Sequence, residues 1–124
     1  MTDLNDRPLA GMSVLIAEDS WHLADAMRMT VERAGATVAG LAGTLAEAEL
    51  LADTVKFDAA IMDLNLHGAQ AHALAHRIAT SGTKVVVLTG YERPEELAAV
   101  VHDCLTKPVS INVLIAALAR PLRG

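Results

Sequence analysis

The stretch Asp58–Leu64, reading DAAIMDL, decides the fold. Four apolar residues, Ala59 to Met62, run without polar alternation and stop at an acid, Asp63. Such a run reads as a strand buried on both faces, as in a parallel sheet. Working outward, similar short runs recur. Ser13–Ala17 stops at Glu18 and Asp19, and Thr37–Leu41 is a second candidate. Lys84–Leu88, nearly all β-branched, stops at Thr89 and Gly90. Asp103–Thr106 is a brief fifth strand, followed by Lys107 and Pro108.

Helical signals fill the gaps. Ser20 offers an N-cap, and Leu23, Met27, Val31 and Ala34 follow at helical spacing up to Gly35. Thr44 caps a helix through about Asp53, with Glu47 as its capping-box partner. A loop through His67 and Gly68 leads to a helix over about Gln70–Thr80. Pro94 opens a short helix, roughly Pro94–His102, and Ser110 caps a last one to about Arg120. Five βα units imply parallel strands, right-handed crossovers and helices on both faces of one sheet. They also place the site at the carboxyl ends of the strands.

Composition is consistent with this. The chain has 124 residues, enough for one domain with its own core. Hydrophobic residues make up 52% and aromatics only 2%, so the core is built from aliphatic side chains and Met. One cysteine, Cys104, leaves no internal disulfide framework. Residues 1–11 are polar, lack the pattern of a secretory signal and read as a loose arm. No apolar run approaches the roughly 20 residues that span a bilayer, so a cytoplasmic protein without membrane contact is expected. A net charge of −5 with no basic cluster argues against nucleic acid as a partner.

The polar residues at the strand ends are Glu18 and Asp19, Asp63, Thr89 and Lys107. They come from four strands, and only the fold brings them together. Singly, each has an ordinary alternative as a cap, a turn residue or a solvated lysine. Together they describe one chemistry. Three converging carboxylates repel one another, and a divalent cation relieves the repulsion. Oxygen ligands alone select a hard ion such as Mg²⁺. A lysine and a hydroxyl complete what phosphoryl transfer needs, which is positioning and charge neutralisation. Asp63, with apolar strand before it, is the best-placed carboxylate nucleophile.

Strand-end Glu18–Asp19, IMDLNL around Asp63, LTG at Thr89 and TKP at Lys107 together resemble the receiver domains of two-component response regulators. The resemblance spans essentially the whole chain, 1–124, with no output domain expected. It implies a flavodoxin-like, doubly wound (βα)5 fold with five parallel strands in the order 2-1-3-4-5. It implies Asp63 as phosphoacceptor, with Lys107 and Thr89 acting on the phosphoryl group. Mg²⁺ would be held by Asp19, Asp63 and the backbone carbonyl of Asn65, with Glu18 acting through water. The Lys107–Pro108 bond is expected to be cis, and Thr89 is the switch hydroxyl.

Three departures stand out. Cys104 occupies the place of a common aromatic switch residue. The span from Thr89 to Lys107 is short, implying a reduced fourth helix. The loop after Asp63 reads LNLHG rather than carrying Met-Pro. These features resemble single-domain receivers with a Phe-Ala-Thr-Gly-Tyr stretch, here VLTGY. Tyr91 is therefore a candidate replacement for the missing aromatic switch, or else a surface tyrosine packed on the short helix.

The expected function is a single-domain response regulator. It would be phosphorylated by a histidine kinase or a histidine phosphotransfer protein and signal by contact with an unknown downstream protein or by phosphorelay. It would catalyse only its own phosphorylation and dephosphorylation, as a monomer or weak dimer. Two alternatives stay open: a phosphorylation-independent receiver-like scaffold, and a small Mg²⁺-dependent phosphohydrolase. The second lacks an acid two residues after the nucleophile, where Asn65 stands. His72 and His76 stand four apart on a helix, a metal-compatible spacing, but no third ligand is visible and a solvated face is the simpler reading. Trp21, beside the acid pair, is a natural fluorescence reporter.

Overall fold

A computed structural model describes residues 7–90 and 94–122. The elements run β1 (Ser13–Ala17), α1 (Trp21–Arg33), β2 (Thr37–Ala42), α2 (Leu45–Thr54), β3 (Ala59–Asp63), β4 (Asn65–Leu66) and β5 (Ala69–Gln70). They continue with α3 (His72–Thr80), β6 (Lys84–Thr89), α4 (Glu95–Ala98), β7 (Asp103–Thr106) and α5 (Ile111–Ala119). The five long strands form one parallel sheet in the order β2-β1-β3-β6-β7. With the two-residue strands β4 and β5 set aside, this is the expected 2-1-3-4-5 order of a flavodoxin-like α/β fold.

Successive residues of the central strands feed opposite faces, because the side-chain period of a strand is two. Leu15, Ala17, Ala60, Met62, Val85 and Val87 pack under α2, α3 and α4. Val14, Ile16, Ala59, Ile61, Val86 and Leu88 pack under α1 and α5. Being buried on both sides, β3 and β6 read as continuous apolar runs.

The helix caps follow the sequence. Ser20, Thr44 and Ser110 each accept a backbone N–H from the third residue on: Leu23, Glu47 and Val113. Gly35 ends α1 at φ +105°, a conformation that favours glycine. A Cβ there would also lie 2.9 Å from the backbone of Ala10.

The structure corrects three expectations. The arm is not loose throughout: Leu9 is buried, and its N–H donates to the Ala34 carbonyl at 2.8 Å. An apolar residue beside a helix end docks because burial removes its surface from water. The helix expected from Gln70 begins at His72, because residues 65–70 form a small antiparallel hairpin. Asn65 Oδ1 accepts the Gly68 N–H at 2.7 Å, and His67 adopts φ +53° in that turn. The helix expected over Pro94–His102 is reduced to Glu95–Ala98, and the N–H groups of Val100 and Val101 both turn back to the Leu97 carbonyl.

At the amino end of β6, Lys84 is only 7% exposed. Its ammonium donates to the Leu118 carbonyl at 2.6 Å and to the Arg120 carbonyl, fastening the last turn of α5 to the sheet. Burial holds its pKa below the ordinary lysine value.

Candidate acidic phosphoacceptor site

The carboxyl ends of β1, β3, β6 and β7 converge on a cavity of about 660 Å³. Asp19, Asp63, Asn65, Thr89 and Lys107 line it, joined by Leu64, Gly68, Gln70, His72 and Gly90. Glu18, 2% exposed, lies beneath Lys107. All the sequence candidates among the described residues therefore meet at one place. Tyr91 lies outside the described residues.

The lysine is the hub. Lys107 Nζ donates to Asp63 Oδ2 at 2.7 Å and to Glu18 Oε2 at 3.1 Å. Its backbone N–H donates to the Thr89 carbonyl at 2.8 Å, and the bond to Pro108 is cis. The second Asp63 oxygen, Oδ1, accepts the Asn65 N–H at 3.0 Å. Asp63 is thus oriented through both oxygens, one by a charge and one by the backbone of its own loop. Asp19 Oδ2 accepts the His67 N–H at 2.9 Å, which ties the β4–β5 turn across to the end of β1.

Negative charge is in excess. Glu18, Asp19 and Asp63 each offer an oxygen, and these lie within 4.8 Å of one another. Burial pushes the Glu18 carboxyl above its ordinary value, and the charge of Asp63 adds to this. The Ser20 N–H and Lys107 oppose it without prevailing. The His67 N–H holds Asp19 below the usual carboxylate range. Burial works against the Lys107 ammonium, but its hydrogen bonds to Asp63 and Glu18 and their charges outweigh it, and its pKa is raised. One lysine faces three carboxylates, and the oxygens of that trio are a donor set that fits a hard divalent cation.

Sequence reasoning did not place His67 and His72 at this site. His67 contributes through its backbone N–H, which no side-chain pattern announces. His72 reaches the cavity as the first residue of α3, and the displaced helix start hid this.

Comparison with known proteins agrees with the geometry. The response regulator receiver domain family matches residues 14–119. Among solved structures, the receiver domain of the Francisella response regulator 1452 is 25% identical at a TM-score of 0.76, covering 87% of this chain and 93% of that one. A Burkholderia pseudomallei response regulator, solved with a phosphorylated aspartic acid, calcium ion and citrate, is 26% identical at 0.75, covering 86% and 66%. A receiver domain protein from Methanospirillum hungatei JF-1 shares the fold at 23% identity and a TM-score of 0.75, covering 85% and 88%. Comparison with curated protein sequences finds no match. Receiver domains are generally non-enzymatic signalling domains that typically bind Mg²⁺ through acidic residues and interact with histidine kinases and downstream proteins. Among the described residues, no helix is long and apolar enough to cross a membrane. With the family match spanning β1 to α5 and the acids and lysine gathered at the strand ends, the chain belongs to the response regulator receiver domains.

Proposed function

We propose that this receiver accepts a phosphoryl group on Asp63 from a phosphohistidine of a histidine kinase or phosphotransfer protein in the cytoplasm. The observation that carries the reading is the Asp63 carboxylate at the end of β3, held between Lys107 Nζ and the Asn65 N–H on the wall of an open cavity. In the transfer, an Asp63 oxygen forms a bond to phosphorus as the phosphorus–nitrogen bond breaks, and the donor imidazole leaves with the electron pair. Lys107 supplies fixed positive charge beside the incoming group. Thr89, at the end of β6 and on the cavity wall, offers a hydroxyl to a phosphoryl oxygen.

Asp19, Asp63 and the Asn65 carbonyl would hold Mg²⁺, with Glu18 acting through water. When bound, the ion neutralises charge on the phosphoryl oxygens. The His67 N–H orients Asp19 for that role. Phosphorylation then shifts an existing equilibrium, with Thr89 as switch and Tyr91 as its aromatic partner, and the signal passes by protein contact or phosphorelay. A phosphohydrolase is disfavoured. The Asn65 side chain, where a proton donor would stand, is an amide fastened to Gly68 within the turn.

Incubation with acetyl phosphate, with and without Mg²⁺, tests the reading by intact mass. One phosphoryl group is expected with Mg²⁺ in wild type and none in Asp63→Ala. Unchanged uptake in the variant refutes Asp63 as acceptor.

A further inference from the structure

A second cavity, of about 650 Å³, lies between α3 and α4 and is separate from the three-acid cluster. His72, Ala73 and His76 line one side, and Pro94, Glu95, Glu96 and Leu97 line the other. The two histidines stand four apart on α3, so their imidazoles rise from one helix face one turn apart. Across the cleft, α4 presents two carboxylates in its first turn. Among the described residues, no hydrogen bond or ion pair engages any of these four side chains. Glu95 and Glu96 of the neighbouring helix thus line the same cavity as the histidine pair.

We propose that His72, His76 and a carboxylate of Glu95 or Glu96 form a second metal site, for a borderline dication of the Zn²⁺ class. The chemistry separates it from the acidic cavity. A helical histidine pair at this spacing chelates transition metals, and a mixed nitrogen and oxygen set suits Zn²⁺ or Co²⁺ rather than Mg²⁺. Three protein ligands leave a fourth position for water. The ligands are not drawn together beforehand. Among the described residues, the acids of the other cavity are the only metal-competent trio with ligand atoms within 4.8 Å. The metal would instead draw a flexible glutamate side chain across the cleft, and so fasten the four-residue α4 to α3. His72 also lines the acidic cavity, so the two sites share a wall.

The test is Co²⁺ titration of the Asp63→Asn protein in excess Mg²⁺, read by the visible absorption that reports coordination geometry. The aspartate substitution and the excess Mg²⁺ disfavour cobalt at the acidic site, and the variants below tell the two sites apart, so the outcome does not depend on the phosphoacceptor assignment. The expected result is one equivalent of Co²⁺ with a four-coordinate spectrum, displaced by Zn²⁺. His76→Ala should weaken binding by more than the roughly 10–100-fold that losing an outer-shell partner costs. The double change Glu95→Gln, Glu96→Gln should also weaken it. His76 is exposed, so its replacement leaves the core intact, as far-UV circular dichroism would check. Absence of the spectrum overturns the proposal. So does a spectrum that survives His76→Ala but disappears in Asp19→Asn, which would put the metal at the acidic pocket.

Discussion

Replacing Lys107 with Met keeps the aliphatic stem and removes the charge that Glu18 and Asp63 share. Truncating one partner of a fully buried ion pair costs about 3–5 kcal/mol. The Lys107 side chain is 29% exposed and borders an open cavity, so solvent screening lowers the expected loss to about 2 kcal/mol. For a domain of this size that is roughly 6–10 °C in Tm. The loss should depend on pH, with a defined sign. The folded-state pKa of Glu18 is already raised, and loss of Lys107 raises it further. Above that raised value the ionised carboxylate costs stability. As pH falls through it, the folded state takes up a proton before the unfolded state does, and stability recovers. The gap between wild type and variant should therefore be wide near about pH 8 and close toward about pH 5, approaching the ordinary glutamate value. Thermal melts by far-UV circular dichroism at the two pH values measure it, and millimolar Mg²⁺ should restore part of the loss at the higher pH. An equal gap at both pH values would falsify the view that Lys107 offsets buried negative charge here.

Other predictions concern the frame around the site. Lys84→Met removes the donor that Leu118 and Arg120 share, and leaving such carbonyls unpaired should cost about 1–3 kcal/mol. Amide exchange should then accelerate first in the last turn of α5. Gly35→Ala forces a side chain into a left-handed residue and against Ala10, and should lower stability by about 1–3 kcal/mol in urea denaturation. Trp21 is 70% exposed and stands two residues from Asp19, so its emission should change when Mg²⁺ is titrated into wild type. The change should be absent in Asp19→Asn, and a response that persists there would mean Trp21 reports something other than the acid cluster.

The sheet was legible because its strands are short and doubly buried. An apolar run that ends abruptly on Glu18, Asp63 or Thr89 marks both the strand and the edge where the site sits. Ser20, Thr44 and Ser110 were legible as caps because capping is local chemistry. What escaped depends on distant partners. Nothing around Lys84 announces that its ammonium is buried, since its acceptors lie more than thirty residues along the chain. The β4–β5 hairpin escaped because its ladder pairs only two residues on each side. The His67 N–H on Asp19 escaped because backbone donors carry no residue code. The length of α4 was overestimated because Val101, readable as helix, turns instead toward the core under that face of the sheet.

The distances along the chain between the site's residues have a consequence for synthesis and folding. Glu18 and Lys107 are 89 positions apart, and Asp63 meets Lys107 across 44. Contacts of such long range form late, because loop closure must precede their reward. A chain emerging from the ribosome carries Asp63 well before β7 is made, yet lacks the lysine that completes its surroundings. Competence at this site therefore appears only with the finished sheet. A partner reading the assembled site would in effect be reading the completeness of the fold.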